Sequence, residues 1–129
     1  MASVDGVPAL IVEVASPSTW EYDIDATAGK AWGYLQLGVS NYLAFDPRGD
    51  LLGEPCRGWQ IESGRVHEWL PQADGRYHSS GLTISFTPEG NLLRTFDPVG
   101  HPIPFSFETS RRIAELEAEL ARLRDESGR

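Results

Sequence analysis

Glu13 lies inside "LIVEVASPST" (residues 10–19), a run that otherwise reads as a buried strand. A carboxylate in such a place needs either an open face or a partner cation. Along a strand it shares its face with Ala9, Ile11 and Ala15, while Leu10, Val12 and Val14 point the other way. Small neighbours on a central strand would leave room beside the carboxylate for a hydrated divalent ion. Lys30 is the second residue of interest, because it is the only lysine in a chain with ten arginines. It falls on the helical segment that follows the Glu13 strand, off the apolar stripe, with Tyr34 one turn later on the same side. An ammonium there can contact an attacking water or the charge that develops on a phosphate. The plain alternatives are a half-exposed glutamate near a strand end and a lysine left by chance in an arginine-rich composition.

Other residue types suggest less. His67, His78 and His101 show no metal-ligand spacing and have no cysteine cluster beside them. Cys56 is the single cysteine, which rules out an internal disulfide and fits a reducing compartment. There is no phosphate-binding glycine loop and no nucleophile-elbow motif, so nucleotide-driven phosphoryl transfer and serine hydrolysis are unsupported. "FDPRG" at 45–49 and "FDPVG" at 96–100 both suit a type I turn, which makes Asp46 a turn residue before it is a ligand.

The elements that must hold Glu13 and Lys30 can be read in outline. A strand over 8–15 ends at the "SPST" turn. "DIDATAGKAWGYLQLG" (23–38) predicts one helix with Ile24, Ala28, Ala31 and Leu35 as its apolar stripe. Asp23 or Asp25 would be its N-cap, and Gly38 its stop. Gly29 and Gly33 imply close packing on one side. "VSNYLAFDP" is a second strand, giving a strand–helix–strand unit with parallel strands. "GWQIES", "RVHEWL" and "GLTISFT" then predict an antiparallel meander with one wet face, Leu82, Ile84 and Phe86 facing inward. The expected class is therefore α/β (α+β): a mixed sheet, a meander and a terminal helix.

The segment 106–129 reads as an amphipathic helix distinct from the body at 1–105. Ile113, Leu116, Leu120 and Leu123 form an a/d seam of two heptads. With Ile113 at position a, a parallel partner would set Arg112 against Glu117 and Glu119 against Arg124. A homodimer through this seam competes with a helix that lies on its own domain, and two heptads alone hold a dimer weakly.

Composition sets the outer limits. The chain has 129 residues, 40% hydrophobic and 23% charged, which suits one globular domain. No apolar segment approaches the ~20 residues of a bilayer span, and no signal peptide is visible, so a cytoplasmic protein with no membrane partner is expected. The net charge is −8, and residues 1–105 carry 13 acidic against 6 basic side chains. Acidity of that kind should repel nucleic acid, whose nonspecific binding rests on Lys and Arg. A carboxylate cluster can mean a divalent-cation site, although more often it is a solvated surface.

Taken together, "PALIVEVASPSTWEYDID" (8–25), "GKAWGYLQLGVSNYLAFDP" (29–47) and "GLTISFTPEGNLLRTFDPVGHPIP" (81–104) resemble the Uma-two family of restriction-endonuclease-like proteins. The shared pattern falls on Glu13, Ser16, Pro17, Ser18, Thr19, Asp23, Lys30, Tyr34, Gly38, Val39, Tyr42, Asp46 and Pro47. The resemblance implies a PD-(D/E)XK nuclease core, and with it a Mg²⁺- or Mn²⁺-dependent endonuclease that hydrolyses the phosphodiester bonds of DNA. It makes Glu13 the motif glutamate and metal ligand. Ala15 occupies the position of the motif lysine, so Lys30, drawn from the following helix, would be the catalytic lysine. The position that is often Asp before the strand is Ala9, and the only earlier acid is Asp5, so a second carboxylate would have to come from Asp5, Asp23 or another chain. The alternative is a catalytically incomplete relative that keeps the fold as an interaction or dimerisation module.

Overall fold

The computed structural model describes residues 6–128. Strand β1 (Leu10–Val14) leads through two short helices, α1 (Trp20–Asp23) and α2 (Lys30–Gln36), to β2 (Asn41–Phe45). β1 and β2 are parallel, as the strand–helix–strand pattern predicts, with Glu13 opposite Ala44 and Ile11 opposite Tyr42. β3 (Cys56–Glu62) and β4 (Arg65–Trp69) follow antiparallel and complete a four-stranded sheet in the order β1-β2-β3-β4. β5 (Tyr77–His78), β6 (Ser85–Glu89) and β7 (Leu92–Phe96) form a separate antiparallel sheet, and α3 (Ser106–Ser127) closes the chain. The architecture is mixed α+β. Among the described residues no helix is long and apolar enough to cross a membrane.

Alternation along β2 explains the layering, since all five of its residues are buried. Leu43 and Phe45 face the second sheet, where they pack with Cys56, Trp69, Tyr77 and Phe86. Tyr42 and Ala44 face the opposite way and pack with Ala31 of α2, with Ile11, Ile24, Tyr34 and Trp59 around them. The first sheet therefore has the helices on one face and the second sheet on the other. Trp69 joins the sheets. Its ring meets Tyr77 and Phe86 edge-on, and its Nε1 donates to the His78 carbonyl at 2.9 Å. Gly58 makes room for this ring, because a Cβ there would sit 3.0–3.2 Å from Trp69 and Leu43.

The structure corrects several of the sequence expectations. The single helix over 23–38 is two, because Asp25 Oδ1 accepts from the Thr27 and Ala28 amides and from the Thr27 hydroxyl, turning the chain out of helix. Ala28 is consequently exposed, and the residue that caps α2 is Gly29 rather than Asp23 or Asp25. Of the two glycines, only Gly29 is pressed by its surroundings: a Cβ there would collide with the Tyr22 carbonyl and the Asp25 side chain, whereas Gly33 faces open space.

The meander is divided between two sheets. Pro71 ends β4's run, and the Gln72–Gly75 turn, which Gly75 closes by donating to the Gln72 carbonyl at 2.9 Å, redirects the chain. β6 begins at Ser85, so Leu82 is exposed and Ser85, expected on the wet face, is buried. Finally, β1 is not central: among the described residues it pairs with β2 alone and leaves its other edge open.

Candidate active site

Glu13 reaches the helix-covered face of the first sheet, where its cross-strand neighbour is only Ala44. The space beside that small side chain is filled from three directions. Lys30, the first residue of α2, brings Nζ to 3.1 Å from Glu13 Oε1 and 3.2 Å from Oε2. Tyr42, on the same face of β2, donates its hydroxyl to Glu13 Oε2 at 3.1 Å. Asp23, the last residue of α1, sets Oδ1 3.6 Å from the same Nζ. One ammonium thus spans two carboxylates that are separated by ten residues of chain.

The "SPST" turn supports the second carboxylate. Thr19 Oγ1 donates to Asp23 Oδ2 at 3.0 Å, and the Ser16 and Thr19 hydroxyls lie 2.7 Å apart. Asp23 Oδ1 is buried and has no hydrogen-bond donor in range, so Lys30 is its nearest counter-charge. Behind the cluster Tyr34 stacks on Tyr42 with ring centroids 6.0 Å apart.

The electrostatics fix the protonation of two groups. The hydrogen bond to Glu13 raises the Lys30 pKa against an opposing desolvation, and the charges of Glu13 and Asp23 reinforce the shift, so Lys30 stays an ammonium. Burial raises the Tyr42 phenol first, and the Glu13 charge and hydrogen bond raise it further. Tyr42 is therefore a donor that holds Glu13 in place, and it is excluded as a base near neutral pH.

The donor set fits a magnesium-like ion. Mg²⁺ in phosphate-handling sites binds one or two carboxylates and keeps several waters, where a structural cage would need many protein ligands. Glu13 and Asp23 supply two, and Asp23 Oδ1 accepts no hydrogen bond. Lys30 is half-exposed on a flexible stem, so its ammonium can yield the space between them. Among the described residues no group of three or more His, Cys, Asp and Glu side chains converges as a ready-made cage. Asp5 lies outside the described residues.

The remaining candidates have other work. Asp46 is buried and turns the chain, its Oδ2 accepting from the Leu51 and Leu52 amides while Gly49 donates to its carbonyl. Asp97 does the same for the second Asp-Pro turn, accepting from Val99 and His101. His78 pairs with Asp74 at 2.7 Å, His101 approaches Asp97, and His67 is exposed on β4. Cys56 is buried in the inter-sheet core, and burial pushes its thiol up to about 12.

Glu13 and Lys30 could both be picked out from the sequence, but Tyr42 as the clamp on Glu13 could not. Tyr42 falls within the pattern of the resemblance, but nothing in the sequence marks its hydroxyl as a partner of Glu13. Searches against protein-family models, curated proteins and solved structures return no match to this chain.

Proposed function

We propose that this chain is a metal-dependent endonuclease domain of the restriction-endonuclease-like kind, acting on the phosphodiester bonds of DNA. The carrying observation is the single lysine, Lys30, held between Glu13 and Asp23 on a parallel β–α–β unit. In this reading Glu13 and Asp23 hold Mg²⁺ or Mn²⁺, and Tyr42 and Thr19 fix the two carboxylates. Held there, the ion would supply Lewis-acid charge at the scissile phosphate. Lys30, displaced from the carboxylates, turns its ammonium to the phosphate oxygens. An open cleft of about 600 Å³ beside α1 is lined by Trp20 and Trp59 together with Glu21 and Asp25.

The same contacts favour a second reading. Lys30 already bridges both carboxylates, so the cluster would serve as a structural charge triad in a domain kept for assembly. Cleavage of single- and double-stranded DNA with Mg²⁺ or Mn²⁺, by wild type and by Lys30→Met, separates the two. The nuclease reading expects cleavage that falls roughly 10²–10³-fold in the variant. No cleavage by wild type under any of these conditions supports the assembly reading.

A further inference from the structure

α3 is 22 residues long and none of them is buried. Ile113, Leu116, Leu120 and Leu123 remain 42–53% exposed along one stripe, so the helix does not lie on its own domain. Most helical stability in proteins comes from packing an amphipathic face, and the leucine seam of α3 has no partner on its own domain. Its root, by contrast, is fixed. Arg94 of β7 donates to Glu108 at 2.8 Å and to Glu89 at 2.6 Å, its guanidinium covers the Phe105 ring at 3.9 Å, and Glu108 caps the Phe105 amide at 2.8 Å. The helix is thus aimed outward from a rigid base.

We propose that α3 is the interface of a parallel homodimer, with a second copy of α3 as its occupant. Charge decides both the partner and the direction. Parallel copies bring Arg112 to Glu117 and Glu119 to Arg124, opposite signs at every flanking contact. Antiparallel copies centred on the same seam bring Glu119 to Glu119 and Glu117 to Glu117, which repel. The seam also continues into the body. Ile113, its first position, and Thr109 one turn earlier line an open groove of about 740 Å³ together with Phe96, Pro102 and Pro104. A partner helix laid along the seam enters this groove at its root, which extends the contact beyond two heptads.

The test uses the full chain. Sedimentation over a range of concentrations is expected to show a monomer–dimer equilibrium. Glu119→Arg should weaken it roughly tenfold, and adding Arg124→Glu should restore it. Oxidised Leu116→Cys should give a covalent dimer, because parallel copies place position 116 opposite itself; the buried Cys56 leaves the wild type uncrosslinked. All three substituted positions are exposed, so the body folds in each variant. A chain that stays monomeric at every concentration overturns the proposal. So does a dimer that Glu119→Arg does not weaken, or in which Leu116→Cys fails to crosslink.

Discussion

Glu13 and Lys30 are each unusual for a different reason, and the contact between them removes both oddities. A carboxylate in an apolar strand needs a cation, and a lone lysine in an arginine-rich chain needs a task that guanidinium performs poorly. Their pairing could be anticipated because both are anomalies of residue type. The part played by Asp23 was less legible. In sequence it reads both as a helix cap and as one of several sources of a second carboxylate, and the break at Asp25 leaves it buried at the end of α1. The pairing leads to a prediction at this scale. Lys30→Met removes a charge that competes with any divalent ion, so Mn²⁺ affinity should rise roughly tenfold even as cleavage falls. Calorimetric titration of both proteins measures this, and an unchanged affinity would mean that Lys30 does not stand in the ion's place. A second prediction concerns Cys56, whose thiol is buried and pushed up to about 12. It should resist thiol reagents in the native protein and react at once in denaturant, as absorbance assays would show.

At the level of elements, the strands and the long helix follow from periodicity, whereas the junctions do not. β1, β2 and α3 were legible as an apolar run, a second apolar run and a heptad stripe. The split between α1 and α2 was not, since it depends on the Asp25 side chain competing for backbone amides, which no period records. The boundary between the two sheets likewise rests on Pro71 and a short turn.

The root of α3 carries a pH prediction. Hydrogen bonds from Arg94 and the Phe105 amide hold the Glu108 carboxyl at about 2, well below its ordinary value of 4.5. A depressed carboxyl contributes stability that is complete above about pH 4.5 and lost as the pH falls through about 2. Denaturant midpoints measured across that window should drop for the wild type and drop less for Glu108→Gln. Removing everything after Glu108 should leave the β-sheet circular dichroism intact, because no residue of α3 is buried.

At the scale of the whole molecule, one core fastens the two sheets and a second fastens the helices that present the site. Trp69 belongs to the first and bridges β4 to β5. Trp69→Ala should therefore cost about 3–5 kcal/mol, seen as an earlier denaturation midpoint in one cooperative transition. Two separate transitions would show that the sheets fold as independent units. The cluster of Glu13, Asp23, Lys30 and Tyr42 lies on the far face of the first sheet from this core, so the variant should retain metal affinity while it remains folded.

The central claim is that two carboxylates held by one lysine form a divalent-cation site. Titration of Mn²⁺ into the wild type, Glu13→Gln and Asp23→Asn, with bound ion counted by electron paramagnetic resonance, tests it most directly. The account predicts one Mn²⁺ per wild-type chain and its loss in both variants. Negligible binding in all three, with each protein folded, would contradict it and leave Lys30 as a structural bridge.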